Sequence, residues 1–221
     1  MQQMQQHTLA VRRTARFHTL GPPDAAEVWI ACHGYAQLAR FFLRAFEPIN
    51  DGSRLIVAPE ALNRYYFETA PGVHAADARV AATWMTREDR DNEIADYIAY
   101  LDTLADHVMP SRATPRRVVA FGFSQGAATV SRWVARGRAR VDHVVLWGSA
   151  LPPELEPATG LLRGARLVIA LGDADPQVSA GAVEQQRRRL DQGGMEYRMV
   201  RYHGGHRIEA PALTDLAASL A

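Results

Sequence analysis

The sequence predicts an α/β protein with a mostly parallel central sheet covered by helices on both faces. Three observations carry this. Short apolar runs rich in β-branched residues alternate along the chain with segments whose apolar positions recur at helical spacing. One run, Val118-Val119-Ala120-Phe121, leads through Gly122-Phe123-Ser124-Gln125-Gly126 directly into a helix-patterned stretch that stops at Gly137. Two later runs, 167–171 and 196–202, end in polar loops, as strands do at the edge of an open α/β sheet where working residues collect.

Taken in order, residues 7–20 show the alternation Val11, Ala15, Phe17 among arginines and suggest an edge strand or hairpin, broken by Gly21-Pro22-Pro23-Asp24. Residues 27–32 read as a buried strand ending in His33-Gly34-Tyr35. Residues 37–46 read as an amphipathic helix with Leu38, Phe41, Phe42 and Phe46 available for the core, and 55–58 as a strand stopped by Pro59. The stretch from 60 to about 90 lacks clean periodicity but carries Tyr65, Tyr66, Phe67, Trp84 and Met85, and a connection this long in a compact domain is usually functional or partly structured. A helix over 92–108 follows, with Ile94, Tyr97, Ile98, Leu101 and Leu104 on one face. Beyond the Ser124 segment come a strand at 144–147, a proline-rich loop through Pro157, the strand 167–171, a helix over 180–190, the strand 196–202 and a short terminal helix. Neither an internal repeat nor a linker is visible. Residues 7–221 therefore read as one domain with a loop-rich, lid-like excursion at about 60–90, behind a frayed tail of residues 1–6.

Composition removes several function classes. With 221 residues, 48% of them hydrophobic, the chain is long enough to bury a good core. A net charge of +1 implies no polyanionic partner, and Arg187-Arg188-Arg189 reads as the solvated face of a helix, so no nucleic acid is expected. No apolar run is long enough to cross a bilayer, and the first residues lack the basic and apolar regions of a secretory signal; the expectation is a cytoplasmic protein without a membrane anchor. Cys32 is the single cysteine, which excludes an intramolecular disulfide and a cysteine-based zinc site, and it reads as a buried, inert thiol. The chain contains no lysine, which excludes Schiff-base chemistry, chain-anchored pyridoxal phosphate and a phosphate-loop NTPase.

What remains is concentrated at loop ends. A Gly-x-Ser-x-Gly segment between strand and helix makes a turn so tight that the serine takes a strained backbone, and only glycine fits two residues to either side. The strain lifts the hydroxyl clear of the sheet, above a helix N-terminus that favours developing negative charge. The hydroxyl needs a base to take its proton, for which neutral imidazole is suited near pH 7, and the imidazole needs a carboxylate to fix its tautomer and stabilise the cation. After 167–171 the chain reads Gly172-Asp173-Ala174-Asp175-Pro176, and after 196–202 it reads His203-Gly204-Gly205-His206. The base is assigned to His206, which two glycines free to swing over, with His203 as its rival nearer the strand. The orienting acid is assigned to Asp175, with Asp173 as its rival at a turn position directly after glycine. Two backbone donors should receive the tetrahedral oxyanion: the amide of Gln125, just after the serine, and that of Tyr35, where Gly34 allows close approach. The plainer reading of these motifs is an inert serine in a glycine-flanked turn and a simple His-Gly turn. No metal site is read from the sequence.

On these residues the sequence resembles the phospholipase/carboxylesterase family of α/β-hydrolases, the group that includes acyl-protein thioesterases. The resemblance covers roughly residue 27 to the C-terminus and rests on His33-Gly34, Ala58-Pro59, Gly122-Phe123-Ser124-Gln125-Gly126, Gly172-x-x-Asp175-Pro176 and Gly205-His206. It implies the α/β-hydrolase fold, a Ser124–His206–Asp175 triad, and hydrolysis of small-molecule carboxylic esters or thioesters without a cofactor, through an acyl-enzyme on Ser124. The chain departs from its relatives where they carry a Gly-Asp pair soon after the first His-Gly; here the loop is Tyr35-Ala36-Gln37. It also has Leu171-Gly172 where the acid motif often opens with His-Gly, and Thr83-Trp84-Met85-Thr86 where relatives tend to have Ser-Trp-Phe/Tyr-Asp. The leading expectation is a serine carboxylesterase acting on short-to-medium acyl esters. An acyl thioesterase or lysophospholipase would pass through the same tetrahedral chemistry, and a non-catalytic binding protein on the hydrolase scaffold is the expectation from a different class. Tyr65, Tyr66, Phe67, Trp84 and Met85 are candidate walls of an acyl pocket, the rival reading being core that covers the sheet edge.

Overall fold

The computed structural model describes residues 3–67, 78–109 and 116–220. Its elements are β1 (Phe17–Leu20), β2 (Glu27–Cys32), α1 (Ala39–Phe42) running into a 3₁₀ segment (Leu43–Ile49), β3 (Arg54–Pro59), β4 (Asn63–Tyr66) and β5 (Val80–Thr83). Then come α2 (Arg90–Val108), β6 (Arg117–Phe123), α3 (Gln125–Arg136), β7 (His143–Trp147), β8 (Arg166–Gly172), α4 (Ala180–Gln192), β9 (Tyr197–Tyr202) and α5 (Ala210–Leu220). Seven strands make one sheet in the order β1-β3-β2-β6-β7-β8-β9. Only β1 runs antiparallel, against β3; the other pairs are parallel.

This order follows from strands that bury both faces. Along β2 the side chains of Val28, Ile30 and Cys32 enter one apolar cluster, and those of Trp29 and Ala31 enter another, because successive residues point to opposite faces of the sheet. The first cluster is closed by α2, α3 and α4 through Tyr97, Leu101, Trp133 and Leu190. The second is closed by α1, its 3₁₀ continuation and α5 through Phe42, Phe46, Leu213 and Leu216. Aromatic rings fill the second layer: Trp29 and Phe46 both meet Phe121, at centroid distances of 5.9 and 5.1 Å.

Buried charges brace the scaffold. Glu27 accepts from Trp29 Nε1 at 2.6 Å and from Arg54 Nε at 2.9 Å. Asp102 on α2 accepts from Trp133 Nε1 at 3.0 Å and from the Arg138 amide at 2.8 Å, so one carboxylate ties α2 to the end of α3. A buried carboxylate is tolerated when its lone pairs are satisfied in this way.

The expected elements stand, with three corrections. The edge strand is only β1; residues 3–16 have no regular structure, and Leu9 and Val11 are exposed, since the alternation there has no neighbouring strand to face. The helix expected over 37–46 is a single α turn that continues as 3₁₀, and Pro48 inside that segment has no N–H to extend an α ladder. The stretch 60–90 holds a hairpin outside the main sheet, β4 paired antiparallel with β5. Residues 68–77 of that excursion and residues 1–2 of the tail lie outside the described residues.

The topology selects where a site can form. The chain passes from β2 to β3 on one side and returns to β6 on the other, so the order reverses between β2 and β6, and Cys32 pairs with Gly122 at their carboxyl ends. Ligands of open α/β sheets bind at such a reversal.

Candidate active site

Ser124 sits at that reversal, between the end of β6 and the first residue of α3, with φ 52° and ψ −116°. A positive φ on a non-glycine residue costs about 1–3 kcal/mol and persists only where its surroundings force it. The surroundings here are backbone: a Cβ at Gly122 would come within 2.3 Å of Gly126 O, and one at Gly126 within 2.1 Å of Cys32 O. The Ser124 amide donates to Trp147 O at 2.9 Å, anchoring the turn to β7.

Asp175 and His206 are brought together from the ends of β8 and β9. His206 Nδ1 lies 2.7 Å from Asp175 Oδ2, and the other carboxylate oxygen accepts from the Gln177 amide at 2.8 Å. The Asp175 side chain has no solvent exposure, while that of His206 keeps 17%. The His206 ring lies over Phe123, the residue before Ser124, at a centroid distance of 5.0 Å. Its loop is pinned from below, where Tyr202 Oη donates to Arg207 O at 3.1 Å and Trp147 Nε1 donates to the same carbonyl at 3.0 Å. Burial pushes the Tyr202 hydroxyl up to about 12. No hydrogen bond joins the Ser124 hydroxyl to His206 among the described residues; in unliganded active sites this contact is often long and tightens with substrate. The two rivals pair with each other instead: His203 Nδ1 lies 3.0 Å from Asp173 Oδ2, in an exposed position.

The loop after β2 is organised by side chains. His33 is buried; its Nε2 accepts from the Ala61 amide at 3.1 Å, which leaves Nδ1 to donate to Gly34 O at 2.7 Å. Burial lowers its pKa to about 4, so it is a neutral structural residue. The Gly34 amide donates to Gln37 Oε1 at 2.8 Å, the Ala36 amide to Ala82 O at 3.0 Å, and the Gln37 amide to Gly34 O at 3.3 Å. Among the amides of Gly34, Tyr35, Ala36 and Gln37, that of Tyr35 is the one without a described partner. The Gln125 amide opens α3 and so belongs to the N–H groups that a helix leaves unpaired. The Gln125 side chain, to which the sequence assigned no contact, accepts from the Trp84 amide at 3.1 Å and donates to Met85 O at 3.1 Å, clamping the end of β5 to the turn. Cys32 beneath this loop is fully buried, and burial pushes its thiol up.

A cleft of about 700 Å³ opens beside His206, and among the described residues Leu38, Phe41, Phe42, Phe123 and Ile208 supply its apolar wall. None of the five expected pocket residues lines it. Trp84 is core: its indole donates to His33 O at 2.8 Å and its rings meet Tyr97. Met85 packs against the same cluster, Tyr66 and Phe67 are exposed, and Tyr65 stands against Tyr35 at 6.0 Å between centroids. Aromatic content alone did not distinguish a wall from the packing beneath it; Trp84 turns inward because its N–H finds a buried carbonyl.

Several solved structures share this fold. A carboxylesterase from Mesorhizobium loti superposes with a TM-score of 0.69 at 18% identity, covering 93% of this chain and 94% of that one. Acyl-protein thioesterase 2 from Zea mays gives 0.66 at 16% identity over 94% and 98% of the two chains. The Bacillus cereus carboxylesterase gives 0.66 at 15% identity over 93% and 92%. At such identities these likenesses speak for the fold. A search of curated protein sequences finds no match. The profile described as Phospholipase/Carboxylesterase matches residues 23–221, and the chain belongs to that family of α/β-hydrolases.

Proposed function

We propose that the protein is a serine carboxylesterase for esters of short-to-medium acyl chains, with Ser124 as nucleophile, His206 as general base and acid, and Asp175 as the residue that orients it. The observation that carries this reading is the buried Asp175–His206 pair at 2.7 Å, whose imidazole lies 5.0 Å from the ring of Phe123, the residue before a serine held at φ 52°. Attack by Ser124 Oγ forms a bond to the ester carbonyl carbon while its proton passes to His206 Nε2. Asp175 stabilises the imidazolium, and the oxyanion is received by the amides of Tyr35 and Gln125. Collapse breaks the bond to the leaving alcohol, which takes the proton from His206. Water then attacks the acyl-enzyme, losing a proton to His206 and releasing the acid as that proton returns to Ser124. Preorganised amides contribute about 3 kcal/mol each in such sites.

Hydrolysis of p-nitrophenyl esters of graded chain length tests this, with Ser124→Ala as control. The substitution is expected to lower kcat by about 10⁴-fold or more, and a fluorophosphonate should label wild type alone. Hydrolysis that survives the substitution would remove the assignment. A thioester in the same panel measures the thioesterase alternative.

A further inference from the structure

The two amides assigned to the oxyanion sit on separate segments, and one short stretch of chain is bonded to both. Tyr35 belongs to the loop after β2, and Gln125 is the first residue of α3. The stretch is Ala82 to Met85, the end of β5 and the two residues after it. On the Tyr35 side, Ala82 O accepts from the Ala36 amide at 3.0 Å, and the Trp84 indole donates to His33 O at 2.8 Å. Tyr35 lies between these two anchor points. Ala36 stands at φ 62°, a conformation that alanine keeps only where its surroundings hold it.

On the other side the Gln125 side chain spends both its polar atoms on the same stretch. Its Oε1 accepts from the Trp84 amide at 3.1 Å, and its Nε2 donates to Met85 O at 3.1 Å and to Thr83 Oγ1 at 2.9 Å. The Thr83 hydroxyl donates in turn to Met85 O at 2.9 Å. Thr83 and Trp84 are buried, so water does not compete for these bonds. The hairpin of β4 and β5 stands outside the seven-stranded sheet, yet its last residues are tied to two loops of that sheet. An oxyanion donor works by being in place before the charge develops, and a misplacement of about 1 Å can cost about 10²-fold in rate.

We infer that the side chains of Gln125 and Thr83 are positioning residues for the hydrolysis: through Ala82 to Met85 they set the Gln125 amide in register with that of Tyr35. The inference rests on the serine-esterase reading above and assigns to it two side chains that act through main chain. The donor itself is an N–H of the backbone, so replacing the Gln125 side chain cannot delete it and can only move it. Gln125→Met keeps the length of the side chain and removes every bond of the clamp. Thr83→Val keeps the shape and removes the hydroxyl, and Thr83→Ser restores it.

The test measures kcat/KM for p-nitrophenyl butyrate per active site, with sites counted by fluorophosphonate labelling run to completion, so that a smaller folded fraction cancels. The value should fall about 10²-fold in Gln125→Met and about tenfold in Thr83→Val, and return to within about threefold of wild type in Thr83→Ser. The second readout is inhibition by 1,1,1-trifluorohexan-2-one. Ser124 Oγ bonds to its carbonyl carbon, the C=O π pair moves onto oxygen as the oxyanion, and the hydroxyl proton passes to His206. Its Ki should rise by the same factor as kcat/KM falls in each variant, because both report the placement of the same amides. Values of kcat/KM within about twofold of wild type in both Gln125→Met and Thr83→Val would overturn the inference and leave the esterase reading standing. Losses that leave the Ki unchanged would overturn it equally, since they would place the clamp in packing alone. If wild type cleaves no ester of any kind and Ser124 resists a fluorophosphonate, the esterase reading fails and takes the inference with it.

Discussion

Two histidine–aspartate pairs sit on the same two loops, and burial is what separates them. Asp173 and His203 meet at 3.0 Å, with side chains 46% and 97% exposed. Asp175 and His206 meet at 2.7 Å, with exposures of 0% and 17%. In the outer pair water screens the attraction and competes for every donor, so such pairs contribute little. In the inner pair the same groups interact in a medium of low polarity, and the carboxylate has no other solvent to turn to. The outer pair works as a strap: Asp173 also accepts from the Gly204 amide at 3.0 Å, and the Ala174 amide donates to Gly204 O at 3.0 Å, which joins the two loops just ahead of the inner pair. On the proposed reading, chemistry and scaffolding are divided between identical residue types two and three positions apart.

The sharpest way to break this comparison is to remove its inner members. His206→Ala is expected to lower kcat by about 10⁴-fold or more, and Asp175→Asn by about 10³–10⁴-fold with little change in KM. Steady-state kinetics on any cleaved p-nitrophenyl ester checks both. A drop after Asp173→Asn as large as that expected for Asp175→Asn would reverse the assignment of the two pairs.

A third histidine extends the comparison to one whose described hydrogen bonds go to backbone and not to a carboxylate. His33 is neutral in the folded state, with a pKa of about 4 against an ordinary 6.5. The unfolded chain takes up a proton as pH falls through 6.5, and the folded chain does so only near 4. Its contribution to stability is therefore complete above pH 6.5 and drains as pH falls across that window, by about 3 kcal/mol in all. Urea unfolding at pH 7 and 4.5 should show the loss, and His33→Gln should flatten its pH dependence.

The smallest effects belong to the outer pair. Asp173→Asn and His203→Ala should each leave kcat/KM within about twofold. The Asp173 carboxylate raises the pKa of His203, so its ring protons should titrate above 6.5 by NMR and move back towards 6.5 in Asp173→Asn. An unshifted His203 would mean that the strap is not formed in solution.

The sheet and its helices were legible because parallel strands buried on both faces write continuous apolar runs, as in Val144 to Trp147, and because glycines mark the turn at Ser124. The order serine, acid, histidine was legible for the same reason: each residue follows a recognisable strand. The hairpin β4–β5 was not, since Asn63 to Tyr66 is half exposed and polar and pairs only with its neighbour. Nor was the cleft. Its walls converge from residues near 40, 80 and 207, and no local pattern records which distant side chains will share a space. The inward turn of Trp84 likewise depends on a carbonyl at His33, fifty-one residues away in the chain.

The bare backbone at positions 122 and 126 makes architecture and reactivity separable in one direction only. The Ser124 hydroxyl has no hydrogen bond among the described residues, whereas a methyl group at either flank would have to push main chain aside, against Gly126 O in one case and Cys32 O in the other. On the proposed reading, descendants that drift out of use should therefore fall silent through residue 124 while both glycines persist, leaving intact shells whose ancestry stays readable after the chemistry has gone.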